Sequence, residues 1–165
     1  MSLVAPHPIW STAGNSPYKI AMATVQAKML SGRYRSGALT RHWDSSPGFC
    51  TLSTDCQGSL DDLLHILVQC PALQHVRSCL INFTNNFAST LPMCIRSLLR
   101  QKCDVSSQSF LPFILDCSTD PEVILLCQRT DYKVLEDLFS VTRTWTYVIH
   151  RERLRMLGRW CQGGN

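Results

Sequence analysis

Apolar residues recur every three or four positions through most of this chain, the spacing of helices with one buried face. Ser16-Pro17 reads as a helix start, with serine as N-cap and proline at the first helical position. Ile20, Ala23, Ala27 and Leu30 follow at helical spacing, and Gly32 is the expected C-cap. Leu39 to Trp43 predicts a short helix. Ser59-x-x-Asp62 resembles a capping box ahead of Leu63, Leu64, Ile66, Leu67 and Val68, which places His65 on a short helix. Pro71 biases Cys70 away from helical geometry and ends that helix.

Further along, Val76, Leu80, Phe83 and Phe87 mark another amphipathic helix, and Ile95, Leu98, Leu99 and Lys102 follow a Pro92 start. The short apolar run Phe110 to Leu115 fits helix or strand. Thr119-Asp120-Pro121 starts a helix that continues through Val123, Ile124, Leu125 and Leu126. The longest element runs from about Lys133 to Trp160. Leu135, Leu138, Thr142, Trp145, Ile149, Met156 and Trp160 share one face. Arg143, Tyr147, Arg151, Arg155 and Arg159 form an i, i+4 ridge on another. Arginines so spaced repel one another, so the ridge is either a solvated face or a seat for an anionic partner. Glu152 and Arg153 fall within the apolar arc and are expected to pair with neighbouring elements. The fold class is therefore mainly α, a helical domain with a small CCHC zinc knuckle.

The knuckle is read from Cys50, Cys56, His65 and Cys70, spaced C-x5-C-x8-H-x4-C. Three thiolates and one imidazole are the ligand set of a closed tetrahedral zinc site, and the segment is too short to order itself without a metal. The competing reading is four unrelated residues, since free cysteine is often a small buried hydrophobe. His42, His75 and Cys79 are neighbouring donors that could enter the set. Four protein ligands leave no position for a reactive water, and no oxyanion loop accompanies a cysteine–histidine pair, so the expectation is not an enzyme. The divisions that follow are a flexible leader at 1–16, a basic helical segment at 17–43 and the knuckle at 44–75. A helical domain at 76–160 ends in the long basic helix, and 161–165 is a tail.

Composition sharpens this picture at three points. With 45% hydrophobic and 17% charged residues in 165, the chain is expected to fold. Nine cysteines are an odd number, and Met1 to Trp10 has no apolar stretch behind a basic one. These suggest a reducing compartment, nuclear or cytoplasmic and not secreted, with no membrane span. The net charge of +4 is unevenly placed. Lys19, Lys28, Arg33, Arg35 and Arg41 precede residue 44 without an acid, whereas Asp44, Asp55, Asp61 and Asp62 share 44–70 with no Lys or Arg.

Several short runs occur in an order that carries a family resemblance. They are Lys28-Met29-Leu30-Ser31-Gly32-Arg33-Tyr34-Arg35, then Leu39, Arg41-His42-Trp43 and the four ligands. Phe113-Ile114-Leu115-Asp116-Cys117-Ser118 follows, then Thr142-Arg143-Thr144-Trp145 and the stretch from His150 to Trp160. Over residues 18–160 the chain resembles the region C-terminal to the polymerase in non-LTR (LINE-like) retrotransposon reading frames. The resemblance implies a CCHC knuckle that helps engage nucleic acid in target-primed reverse transcription, with Cys50, Cys56, His65 and Cys70 holding Zn2+. The first ligand spacing is wider than in many relatives. The polymerase signature Tyr/Phe-x-Asp-Asp is absent, since Asp61-Asp62 follows Leu60, and no endonuclease-like set of acids and histidines is evident.

Three thiolates on one Zn2+ leave the knuckle near −1, with aspartates around it, so it should attract phosphate poorly. It is expected to act as a clip between the basic segment and the arginine ridge. Lys28, Arg33, Arg35, Arg41, Arg143, Arg151, Arg155 and Arg159 are then the candidate nucleic-acid contacts, RNA more than DNA, with Tyr34, Trp43 and Tyr147 as candidate stacking residues. Core packing is an equal alternative for Tyr34 and Trp43. The alternative functions are a zinc-ordered structural or protein-interaction domain, or a retroelement remnant with no selected function.

Overall fold

The computed structural model describes residues 6–45, 47–129 and 133–158. Eight α-helices account for most of them: α1 Pro8–Ser11, α2 Pro17–Leu30, α3 Gly37–Asp44, α4 Gln74–Ser89, α5 Met93–Lys102, α6 Phe110–Leu115, α7 Pro121–Arg129 and α8 Lys133–Met156. Among the described residues there is no strand, only a single antiparallel bridge between Phe49 and Leu60. The mainly α reading therefore holds, and the ambiguous run at 110–115 is helical.

Local chemistry sets the boundaries. Ser16 Oγ accepts from Lys19 N–H at the start of α2, Ser36 Oγ caps α3, and Asp120 Oδ1 accepts from Glu122 N–H at the start of α7. Gly32, at φ +69°, turns the chain after α2 in the left-handed region that glycine enters without strain.

Helix α8 is the spine, packed against α2, α4 and α6. Leu138, Phe139, Val141, Trp145 and Ile149 are buried along it. Trp145 meets the Phe110 ring edge-on at 5.1 Å, and its Nε1–H donates to Thr84 Oγ1 at 2.9 Å, so the largest core side chain leaves no polar atom unpaired. Buried Gln26 ties three helices, its Nε2–H2 donating to Ile114 O at 2.9 Å and to Thr142 Oγ1 at 3.0 Å. Lys102 is buried at the end of α5, with its ammonium on Asp120 and Glu122 at 2.9 and 2.8 Å.

Two expectations need correction here. The buried side of α2 is Met22, Ala23, Val25, Gln26 and Met29, whereas Ile20 and Leu30 are exposed. Residues 6–16 are not a loose leader. Ile9, Thr12 and Ala13 are buried, and the Arg143 guanidinium donates to Thr12 Oγ1 at 2.8 Å and to the carbonyls of Ile9 and Thr12. A buried guanidinium needs several acceptors, and the turn of α1 supplies them.

Candidate metal centre

Three elements bring the donors together. The ribbon after α3 turns at Pro47-Gly48, where φ at Gly48 is +75° and an added Cβ would lie 2.9 Å from Arg41 Cδ. Asp61 N–H donates to Gly48 O and Cys50 N–H to Ser59 O, both at 2.9 Å, which closes the ribbon and fixes Cys50. A 3-10 turn over Thr54–Cys56, capped by Ser53 Oγ on Asp55 N–H, presents Cys56.

His65 and Cys70 share one turn of unusual width. Asp62 Oδ1 accepts from His65 N–H at 2.7 Å, so Asp62 starts this helix rather than Ser59. Residues His65–Gln69 then form a π turn closed by Cys70 N–H donating to His65 O at 2.6 Å. On an ordinary α-helix, residues five apart point about 140° away from each other. The wider turn removes much of that divergence, and Cys70, at φ −57° and ψ 114° before Pro71, leaves the helix at that point.

The four donor atoms all lie within 4.8 Å of one another, and all four residues are buried. Cys70 Sγ is 3.6 Å from Cys56 Sγ and 4.0 Å from Cys50 Sγ. A tetrahedral ion with metal–sulfur bonds of about 2.3 Å has sulfur–sulfur edges of about 3.8 Å, whereas a disulfide is about 2.05 Å. His65 Nε2 is buried without a hydrogen-bond partner, an orphan that a metal bond would satisfy. The residues therefore fit a four-coordinate soft-metal site. Burial pushes the Cys50 thiol up to about 12 and raises that of Cys70, while burial lowers the His65 imidazole. A bound cation would reverse this balance by displacing the thiol protons. The competing donors stay outside the cluster: His42, His75 and Cys79 are exposed, and His75 Nε2 instead lies 3.3 Å from Glu152 Oε1.

Two buried cations bear on this loop, and spacing missed the first of them. Arg77 on α4 is only 2% exposed, donating from Nη2 to Cys70 O and to Gln74 Oε1 at 2.9 Å. Its Nη1 has no partner, no carboxylate pairs with it among the described residues, and the nearby group whose charge would favour it is the Cys70 sulfur once deprotonated. Its signal is a lone cation next to Val76 on the apolar side of α4. Arg153 on α8 makes the buried pair expected of its arc, Nη2 to Asp61 Oδ2 at 2.6 Å. Asp61 Oδ2 also accepts from Gly37 N–H at 2.6 Å, and Arg153 Nη1 donates to Arg35 O at 3.2 Å. An added Cβ on Gly37 would lie 3.0 Å from Asp61, so glycine permits this approach. The metal loop is thus tied to the start of α3 and to the last turns of α8.

The candidate nucleic-acid residues fall into two groups. Lys28, Arg33, Arg35, Arg41, Arg151 and Arg155 are exposed. Arg155 bonds Glu152 at 2.7 and 2.9 Å, and Arg151 lies over the Tyr147 ring at 5.9 Å. Arg143 is not on a surface ridge, because α1 covers it. Tyr34 is buried with its hydroxyl 3.0 Å from His150 Nδ1, which makes it a packing residue and not a stacking surface. Tyr147 is half-buried against Tyr18, ring centroids 5.5 Å apart, whereas Trp43 is 73% exposed. Arg159 and Trp160 lie outside the described residues.

The class defined by fold and site is a helical protein with a buried three-cysteine, one-histidine cluster suited to a metal. No family model, no curated protein and no solved structure matches the chain. No helix among the described residues is long and apolar enough to cross a membrane.

Proposed function

We propose that this chain is a non-catalytic, zinc-dependent nucleic-acid-binding module, with RNA as its ligand, of the kind carried C-terminal to the polymerase of non-LTR retrotransposons. The observation that carries the zinc reading is the convergence of four buried donors on one point, with His65 Nε2 left unpartnered. Charge supports it independently. A Zn2+ ion with three thiolates and an imidazole carries a net charge near −1, and Arg77 beside Cys70 is a buried cation with no carboxylate partner among the described residues. Four protein ligands leave the ion no open position, so its role is structural.

In this reading the ion holds the loop, and the loop holds the basic segment. Zinc fixes residues 50–70; Asp61 then fixes Arg153 and Gly37, which orients Lys28, Arg33, Arg35 and Arg41 against α8. A second reading, a zinc-ordered protein-interaction domain, draws on exposed Ile124 and Leu125 of α7. A salt titration separates the two. Single-stranded RNA binding should weaken with a log–log slope of about −0.7 per phosphate bound. A flat response would contradict the nucleic-acid reading and favour the protein partner.

A further inference from the structure

Between the turn after α2 and the later part of α8 lies a cavity of about 460 Å³, lined by Lys28, Arg33, Tyr34, Arg35, His150 and Arg153 among others. No acid lines it. Arg153 is matched by Asp61, but Lys28, Arg33 and Arg35 have no carboxylate partner among the described residues. Three like charges around one space repel one another, and an anion placed there relieves that repulsion.

The turn that carries two of these cations is anchored in place. Between Arg33 and Arg35, the Tyr34 ring packs edge-on against His150 at 5.5 Å and its hydroxyl meets Nδ1. The Arg35 carbonyl accepts from Arg153. Both arginines therefore start from a fixed backbone, which lowers the ordering cost of binding. Burial, then the nearby charges of Arg153 and Lys28, hold the His150 ring well below its usual pKa, at about 4, consistent with a positive field in this region.

A second cavity of about 450 Å³ shares Arg35 and Arg153 as its wall. Trp43, 73% exposed, and Phe49, 45% exposed, also line it, together with Asp61, which Arg153 neutralises. Aromatic rings open to solvent next to a cationic hollow are the parts of a single-strand binding surface, phosphate on charge and base on ring.

We propose that the first cavity seats one phosphate of a single-stranded nucleic acid and that the attached base stacks at Trp43 in the second. This rests on the nucleic-acid reading above and assigns it a place. Arg41, Arg151 and Arg155 then serve the flanking backbone and not this seat.

The test is anisotropy of a labelled single-stranded RNA oligonucleotide with the zinc-loaded full chain. Arg33→Gln with Arg35→Gln should weaken binding about tenfold and make the salt slope shallower by about 0.7 for each phosphate no longer neutralised. Trp43→Ala should weaken binding about fivefold or more with the slope unchanged. Arg100→Gln with Arg129→Gln, which removes two exposed cations outside both cavities, should change it less than about twofold. Equal weakening by the two double variants would overturn the seat and leave only bulk charge. An inert Trp43→Ala, with polyglutamate competing as well as RNA, would overturn it in favour of an acidic protein. If the parent binds no RNA even at low salt, the underlying reading fails; if only the variants disappoint, the reading stands and the seat does not.

Discussion

Around Trp145, side chains from α4, α6 and α8 enclose an apolar ring whose single polar atom is satisfied by Thr84. Around Cys70, a short loop and the start of α4 enclose four metal donors and a guanidinium, two of whose neighbouring polar atoms remain unpartnered. The Trp145 indole is satisfied by protein atoms alone, and Gln26 Oε1 is the unpartnered polar atom of that helical core. The second region clusters orphaned groups, His65 Nε2 and Arg77 Nη1, beside the thiols, buried and without a hydrogen-bond partner among the described residues. Hydrophobic burial thus orders the helical spine, whereas the loop gathers buried donors that a metal ion would satisfy.

The largest expected effect that separates these regions is removal of the metal. Chelation should erase hydrogen-exchange protection across residues 50–70 while the middle of α8 keeps it. Trp145→Ala should do the reverse, costing about 3–5 kcal/mol of global stability in a denaturant melt while leaving metal stoichiometry at one per chain as long as the protein folds. Simultaneous loss of protection in both regions on chelation would show that they are one cooperative unit.

A smaller effect is expected at Arg77. Arg77→Met removes the cation beside Cys70 and should weaken metal affinity about 10- to 100-fold, the range for outer-shell partners. The metal-free variant should be no less stable than the metal-free parent, because an unmatched buried charge has been removed. Competition with a chelator measures the first, and a melt in excess chelator measures the second.

The mildest expectation concerns pH. His150 binds a proton only near pH 4 in the folded state, against about 6.5 when unfolded, because burial and then Arg153 and Lys28 disfavour its charge. Above pH 6.5 the ring is neutral in both states. As pH falls from 6.5 towards 4 the unfolded chain takes up the proton first, so stability drops. Part of the ring is open to solvent, so the loss should be about 1–2 kcal/mol. In melts of the metal-free protein at several pH values, His150→Asn should flatten this part of the profile. An unchanged slope would assign the acid sensitivity elsewhere.

The same contrast explains what could be read along the chain. Helix starts at Ser16-Pro17 and Asp120-Pro121 are legible because the chemistry is local, with side-chain oxygens capping nearby N–H groups. The donor set is legible because cysteine and histidine at short spacing are uncommon and chemically distinctive. Burial around α8 is less so. Spacing gives Arg143 and Arg151 the same solvent-facing side, but the middle of α8 is covered by α1 as well as by α2, α4 and α6, so Arg143 lies inside while Arg151 stays outside. On α2, alanines and glutamine on the packed side blur the apolar stripe, and Ile20 and Leu30 misdirect it. The ties that position the site join residues far apart in sequence, Asp61 with Arg153 and Tyr34 with His150, and no spacing rule reaches that distance. The π turn is hidden too, although the need for Cys70 to leave the helix before Pro71 is visible.

Metal content of the purified chain bears most directly on all of this. Elemental analysis should find one zinc per parent chain and none in His65→Ala or Cys70→Ser. A folded parent that carries no zinc when purified with the metal present, or variants that retain it, would contradict the metal centre and the brace built on it.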